Sequence, residues 1–179
     1  GMSGHDPKDS TSLKLPSPDL TKNLKDSIQG MKIGLPKEFF EQDMPSYVEQ
    51  SIQEAIETYK SLGAEIVEVS LKNINLSLPI YYIIAPAECS ANLSRYDGVR
   101  YGYRCEDPKD IEDLYMRTRE EGFGAEVKRR ILIGTYALSA GFYDAYYLKA
   151  QKCRQLVAND FTNAFESVDV ILSPTTPGT

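Results

Sequence analysis

Histidine is almost missing from this 179-residue chain. His5 is the only one, and it lies in a polar stretch near the start. Ser-His-Asp and Cys-His catalysis therefore have no base here. Neither an HExxH nor a CxxC spacing occurs, so the sequence offers no transition-metal site. GxGxxG and GxxxxGK(S/T) loops are also absent, which excludes nucleotide binding by those two devices. Tandem serines in a glycine-rich loop do not occur, so no activated hydroxyl is recognisable. The three cysteines, Cys89, Cys105 and Cys153, are odd in number and widely spaced. That pattern suits a reduced, cytoplasmic protein better than a disulfide framework. No apolar run approaches the ~20 residues that span a bilayer, and no apolar leader follows Gly1. Positive charge is also scarce: 20 Lys and Arg against 26 Asp and Glu give a net charge of −6. Phosphate contacts need clustered cations, so a nucleic-acid surface is not expected, although a small basic pocket is compatible with this balance.

The remaining sequence reads as an ordinary α/β domain, with 41% hydrophobic and 26% charged residues. Residues 1–27 are polar and carry Pro7, Pro16 and Pro18, so they read as an extended arm or linker ahead of a domain over 28–179. Met31 to Leu35 is a short apolar run closed by Pro36, a strand. Ser46 with Glu49 reads as a capping box opening a helix whose apolar positions Val48, Ile52, Ala55, Ile56 and Tyr59 share one face. Gly63 stops that helix, and Ala64 to Val69 alternates as a second strand. Strand, helix and strand over 31–69 predict a parallel βαβ unit. Leu78-Pro79 to Leu93 reads as a helix that Pro86 kinks or interrupts. Asp110 caps a helix to about Glu120, and another runs from Ala125 to Leu138. A last helix spans Asp144 to about Glu166, burying Ala145, Cys153, Leu156, Val157, Phe161, Ala164 and Phe165. Residues 168–172 form a buried strand. The abrupt start at Gly1 and the finish at Thr179 read as cut ends.

Arginine, tyrosine and glycine concentrate between Asn92 and Tyr147, the residue types that build pockets for small anions. At ~100° per residue, Val127, Ile131, Gly134 and Leu138 share a narrow helix face. Arg130 falls roughly 60–70° from that face, with Gly134 one turn on leaving room beside it, whereas Arg129 points away into solvent. A planar guanidinium suits bidentate recognition of a carboxylate. Its partner can be one of the protein's own acids or a ligand, and the spacing leaves both open. Tyr81, Tyr82, Tyr101, Tyr103, Tyr143, Tyr146 and Tyr147 read mainly as core or interface residues. Cys89 reads as an inert buried thiol. Arg95, Asp97, Arg100 and Arg104 suggest a surface ion network, or a patch for docking a partner.

The blocks KIGLPKEFF, SLGAEIVEVSL, NLSRYDGVRYGYR, EGFGAEVKRRILIGTYALSAGFYDAYYLKAQKCRQLV and VDVILSPTTP together resemble the glutaminase (A) subunits of the glutamyl-tRNA(Gln)/aspartyl-tRNA(Asn) amidotransferases. These belong to the amidase-signature family. The resemblance runs in order along the whole chain, and SRYDG with EVKRRI and YDAYY points to the transamidating subunits rather than to amidases at large. It implies a mixed sheet with helices on both faces, of which this chain carries a helix-rich central-to-late piece.

The resemblance also implies a carbon–nitrogen ligase complex that takes its nitrogen from glutamine. Ammonia released from glutamine passes to a second subunit, which amidates Glu-tRNA(Gln) with ATP and Mg²⁺. The family's Lys–Ser–Ser machinery matches no stretch of this chain. No catalytic residue, cofactor or metal is therefore assigned to it, and alone it is expected to be inactive. What carries over is glutamine binding: Arg130 as the arginine that grips the α-carboxylate, and Tyr81, chosen over Tyr82, as the tyrosine at the same site. The implied partners are the B and C subunits and glutamine, without direct tRNA contact and without a membrane. Self-association of the piece is expected from exposed sheet edges and apolar surface. The alternatives are a non-enzymatic α/β adaptor that binds partner subunits, and part of a general amidase.

Overall fold

The computed structural model describes residues 4–24, 26–40 and 44–176. Three parallel strands form a small sheet in the order β2-β1-β3: β1, Lys32–Pro36; β2, Glu65–Val69; and β3, Val170–Ile171. Ile33 lies opposite Ile66 on one side and opposite Val170 on the other. The α/β reading and the βαβ unit over 31–69 are both present. The third strand is shorter than the sequence suggests: Val168 is buried but stands before the ladder, and Val170 is 40% exposed. Described residues before β1 form turns only, and nearly all are exposed.

Helix α1, Ser46–Ser61, packs beside β2. Its five apolar positions are its least exposed residues, with Ile56 buried. The capping box is not formed. Pro45 occupies the cap position with no side-chain hydrogen bond, and Ser46 is already the first helical residue. The Pro45 carbonyl instead accepts from the amides of Val48 and Glu49. Proline pre-sets the φ needed at a helix entry, so it displaces the serine by one position. At the other end Gly63 has φ +91°, with Gly63 N–H donating to Lys60 O and Ala64 N–H to Tyr59 O. This is the doubly bonded stop that a left-handed glycine permits.

Helix α2, Ser77–Leu93, begins two residues earlier than Pro79 and runs through Pro86 without interruption. Missing one amide is tolerated because both flanks of the helix are packed, by α4 on one side and α5 on the other. Helix α3, Ile111–Gly122, opens where expected, with the Asp110 carboxylate accepting from Asp113 N–H at 2.8 Å. Asp110→Ala removes that acceptor and is expected to cost about 1 kcal/mol, read as a lowered denaturant midpoint with unchanged slope. Helix α4 spans Ala125–Leu138, as read from sequence.

The last helical stretch differs from expectation. Residues Tyr143–Leu148 make a π-helical turn, and regular helix α5 runs only from Lys149 to Phe165. Ala150 and Ala164 are its buried residues, while Leu156 and Phe165 are about half exposed at 47% and 51%. Ala145 is also exposed. Within α5, Ala150, Cys153, Val157, Phe161 and Ala164 share one covered stripe at helical spacing, and Leu156 and Phe165 flank it on either side.

Two packed clusters hold these pieces. One joins Val69, Leu71, Ala164 and Val168 at the end of the sheet, and the other joins Ile80, Ile84 and Ala150 between α2 and α5. The loop linking them is tied by Asp160, which accepts from the Asn73 amide at 2.6 Å, and by Glu38, which accepts from the Leu71 amide at 2.9 Å.

Candidate functional site

The site is set by how α2 and α4 meet. At Gly134 the backbone of α4 lies directly on the Pro86 carbonyl: a Cβ added there would sit 1.9 Å from that oxygen. One turn further along α2, the Ser90 hydroxyl bonds the Thr135 hydroxyl at 2.8 Å. At the near end, Arg130 Nη1 donates to the Tyr81 hydroxyl at 3.3 Å. These contacts place the crossing of α2 and α4 at Pro86, Ser90 and Gly134, with Arg130 reaching across to Tyr81. The glycine is therefore not room for the guanidinium, as the helical spacing suggests. It is the point of closest backbone approach, and that approach brings Arg130 to Tyr81.

Arg130 also donates from Nε to Glu126 Oε1 at 3.1 Å, one turn back on α4. Its side chain is 36% exposed, so it sits at the rim rather than inside. Hydrogen bonds to Tyr81 and Glu126 favour its charged form and raise its pKa above the ordinary arginine value. Arg129 is solvated as expected, at 69% exposure, and shares Glu126 through Oε2. The guanidinium thus has an internal acid, and among the described residues its Nη2 has no protein partner.

Tyr81 faces two ways. Its hydroxyl meets Arg130, while its ring lines a groove of about 280 Å³ between α2 and α5. Ile80, Ile84, Ala85 and Val157 line it with apolar surface, and Arg154 lines it as well. Tyr82 packs edge-on against Tyr81, with centroids 5.4 Å apart, and does not line this groove. Arg154 was not signalled by the sequence, because a lone arginine on an amphipathic helix has no distinguishing pattern. Glu126 could have been found, since an acid four residues before an arginine is the ordinary helical pair.

The expected ion network of Arg95, Asp97, Arg100 and Arg104 is not formed among the described residues. Asp97 instead accepts from the Val99 amide at 2.9 Å, and Arg104 donates to the Gly98 carbonyl at 3.0 Å. These groups brace a tight loop: Gly98 has φ +79°, and a Cβ there would lie 2.6 Å from Thr118 Oγ1. The loop is clamped to α3 by Thr118, which accepts from the buried Cys105 amide, and by Arg119, which donates to Leu93 and Tyr96 carbonyls. Asp97 and Arg104 are thus both engaged by the backbone of the loop. Nor is Cys89 fully buried; it is only partly covered. The tyrosines expected in the core are mostly at the surface, Tyr81, Tyr101 and Tyr103 being about half exposed.

The α/β architecture agrees with what the comparisons find. The amidase family model matches residues 1–179, and the chain belongs to the amidase family. Within it, the chain is 64% identical over 178 residues to the A subunit of glutamyl-tRNA(Gln) amidotransferase from Thioalkalivibrio sulfidiphilus, covering 99% of this chain and 37% of that protein. The crystal structure of the A subunit of glutamyl-tRNA(Gln) amidotransferase from Thermotoga maritima superposes with a TM-score of 0.64 at 33% identity, covering 98% of this chain and 33% of that one. A bacterial aryl acylamidase shares the fold, with a TM-score of 0.58 at 20% identity. The chain thus spans about a third of the length of these relatives. Among its described residues, no helix is long and apolar enough to cross a membrane.

Proposed function

We propose that this chain supplies the glutamine-gripping part of the glutaminase subunit of a tRNA-dependent amidotransferase. In that role Arg130 holds the α-carboxylate of glutamine and Tyr81 bounds the same site. The observation that carries the proposal is the 3.3 Å contact between Arg130 Nη1 and the Tyr81 hydroxyl, made across 49 residues of chain and backed by the α2–α4 crossing. Relatives bearing the name of that subunit support it, being similar over nearly all of this chain. The whole enzyme would release ammonia from glutamine for the ATP- and Mg²⁺-dependent conversion of Glu-tRNA(Gln) to Gln-tRNA(Gln) in the cytoplasm. ATP and Mg²⁺ would bind a partner subunit, and no residue of this chain is assigned to them.

In the same reading, residues 1–27 serve as an arm and 28–179 as part of the amidase domain. The partners are the B and C subunits. Exposed apolar side chains on α4, Leu132 at 71% and Ile133 at 46%, offer surface for association with them or with a second copy.

The test is steady-state glutamine hydrolysis by the full-length protein in complex with its partners. Tyr81→Phe removes the hydroxyl that steadies Arg130 but keeps the ring on the groove, so KM for glutamine is expected to rise about threefold. Arg130→Lys is expected to raise it much further. An unchanged KM in Arg130→Lys withdraws the proposal.

A further inference from the structure

Glu126 lies in the first turn of α4, where unsatisfied backbone amides favour a negative charge. Both of its carboxylate oxygens are engaged: Oε2 accepts from Arg129 Nη1 at 2.6 Å and Oε1 from Arg130 Nε at 3.1 Å. Arg129 meets no other acid among the described residues, and its contact keeps the carboxylate from turning away from Arg130. The Arg130 guanidinium is consequently pinned at two of its three nitrogens. Glu126 holds Nε from the same helix, and the Tyr81 hydroxyl holds Nη1 from α2. Two anchors fix the plane of a rigid group, and with it the direction of the N–H bonds on Nη2. Without Glu126, a long side chain that is 36% exposed would rest on one 3.3 Å contact.

We infer that Glu126 is a positioning residue for carboxylate recognition, orienting the Arg130 fork before the ligand arrives, with Arg129 holding Glu126 in place. This rests on the glutamine reading of Arg130 and Tyr81. Glu126 acts through Arg130 and touches no reacting atom. Ordering one rotamer-rich side chain in advance makes binding tighter without altering the chemical step. Removing that order is therefore expected to raise KM for glutamine about fivefold while kcat stays unchanged.

The experiment compares glutamine KM and kcat for Glu126→Ala, Arg130→Lys and the double variant, each in the full-length protein in complex with its partners. In the Arg130→Lys background, Glu126→Ala is expected to add nothing, because an ammonium has no plane to orient. A fall in kcat, or a fivefold effect that persists on top of Arg130→Lys, would mean a general structural role and overturn the inference. An unchanged KM in Glu126→Ala, with KM raised in Arg130→Lys, would overturn the inference and leave the glutamine reading standing. No KM effect from Arg130→Lys would overturn that reading itself.

Discussion

Replacing Gly134 by alanine is expected to destabilise the protein by about 3 kcal/mol or more. Helix propensity argues the other way, since alanine in a helix interior is better than glycine by about 1 kcal/mol. The close approach decides the sign. The added Cβ would stand 1.9 Å from the Pro86 carbonyl oxygen, 2.5 Å from its carbon and 2.8 Å from Ser90 Cβ. Two of those three atoms are backbone, so no side-chain rotation can relieve the clash and α4 must move off α2. That movement breaks the Ser90–Thr135 hydrogen bond and draws Arg130 away from Tyr81. Urea unfolding of the wild type and variant checks the prediction, read as a lower midpoint. A variant as stable as the wild type would show that the two backbones do not meet at this point.

Arg130→Lys is the variant with the largest expected effect on function. In the full-length protein within its complex, KM for glutamine should rise about thirtyfold, with a smaller change in kcat. A lysine keeps the charge but loses the planar fork, so it cannot bond Glu126, the Tyr81 hydroxyl and a carboxylate from fixed directions at once. The effect falls on KM because the α-carboxylate lies several bonds from the amide that reacts. Glutamine titration measured by initial rates provides the check. A change confined to kcat would place Arg130 at the reacting bond instead of at the carboxylate.

Local features were legible in the order of residues alone. The buried face of α1, the glycine stop at Gly63, the Asp110 cap and the limits of α4 all follow from short-range rules of spacing and capping. Each depends on residues within one or two turns of each other. Even here a neighbour can override the rule: Pro45 took the cap position that Ser46 and Glu49 signalled. The π-helical turn at Tyr143–Leu148 was not legible, because its sequence is as compatible with an ordinary helix. The Arg95–Arg104 segment misled for a related reason. Asp97 looked like the acid of an ion network, but it caps the amides of its own tight loop, and the Gly98 carbonyl takes up the Arg104 guanidinium.

The sequence by itself determined the helix that carries Arg130, the side of it that Arg130 occupies, and the family to which the chain belongs. Those are properties of local order, set by a 3.6-residue period and by linear motifs. Only the tertiary structure decided that Arg130 meets Tyr81, that Glu126 is its acid, and that Gly134 marks the contact responsible. Residues 49 positions apart are brought together by where two helix backbones can touch, and that depends on the absence of a side chain at one position and a carbonyl at another. Period and composition do not encode that distance; packing does.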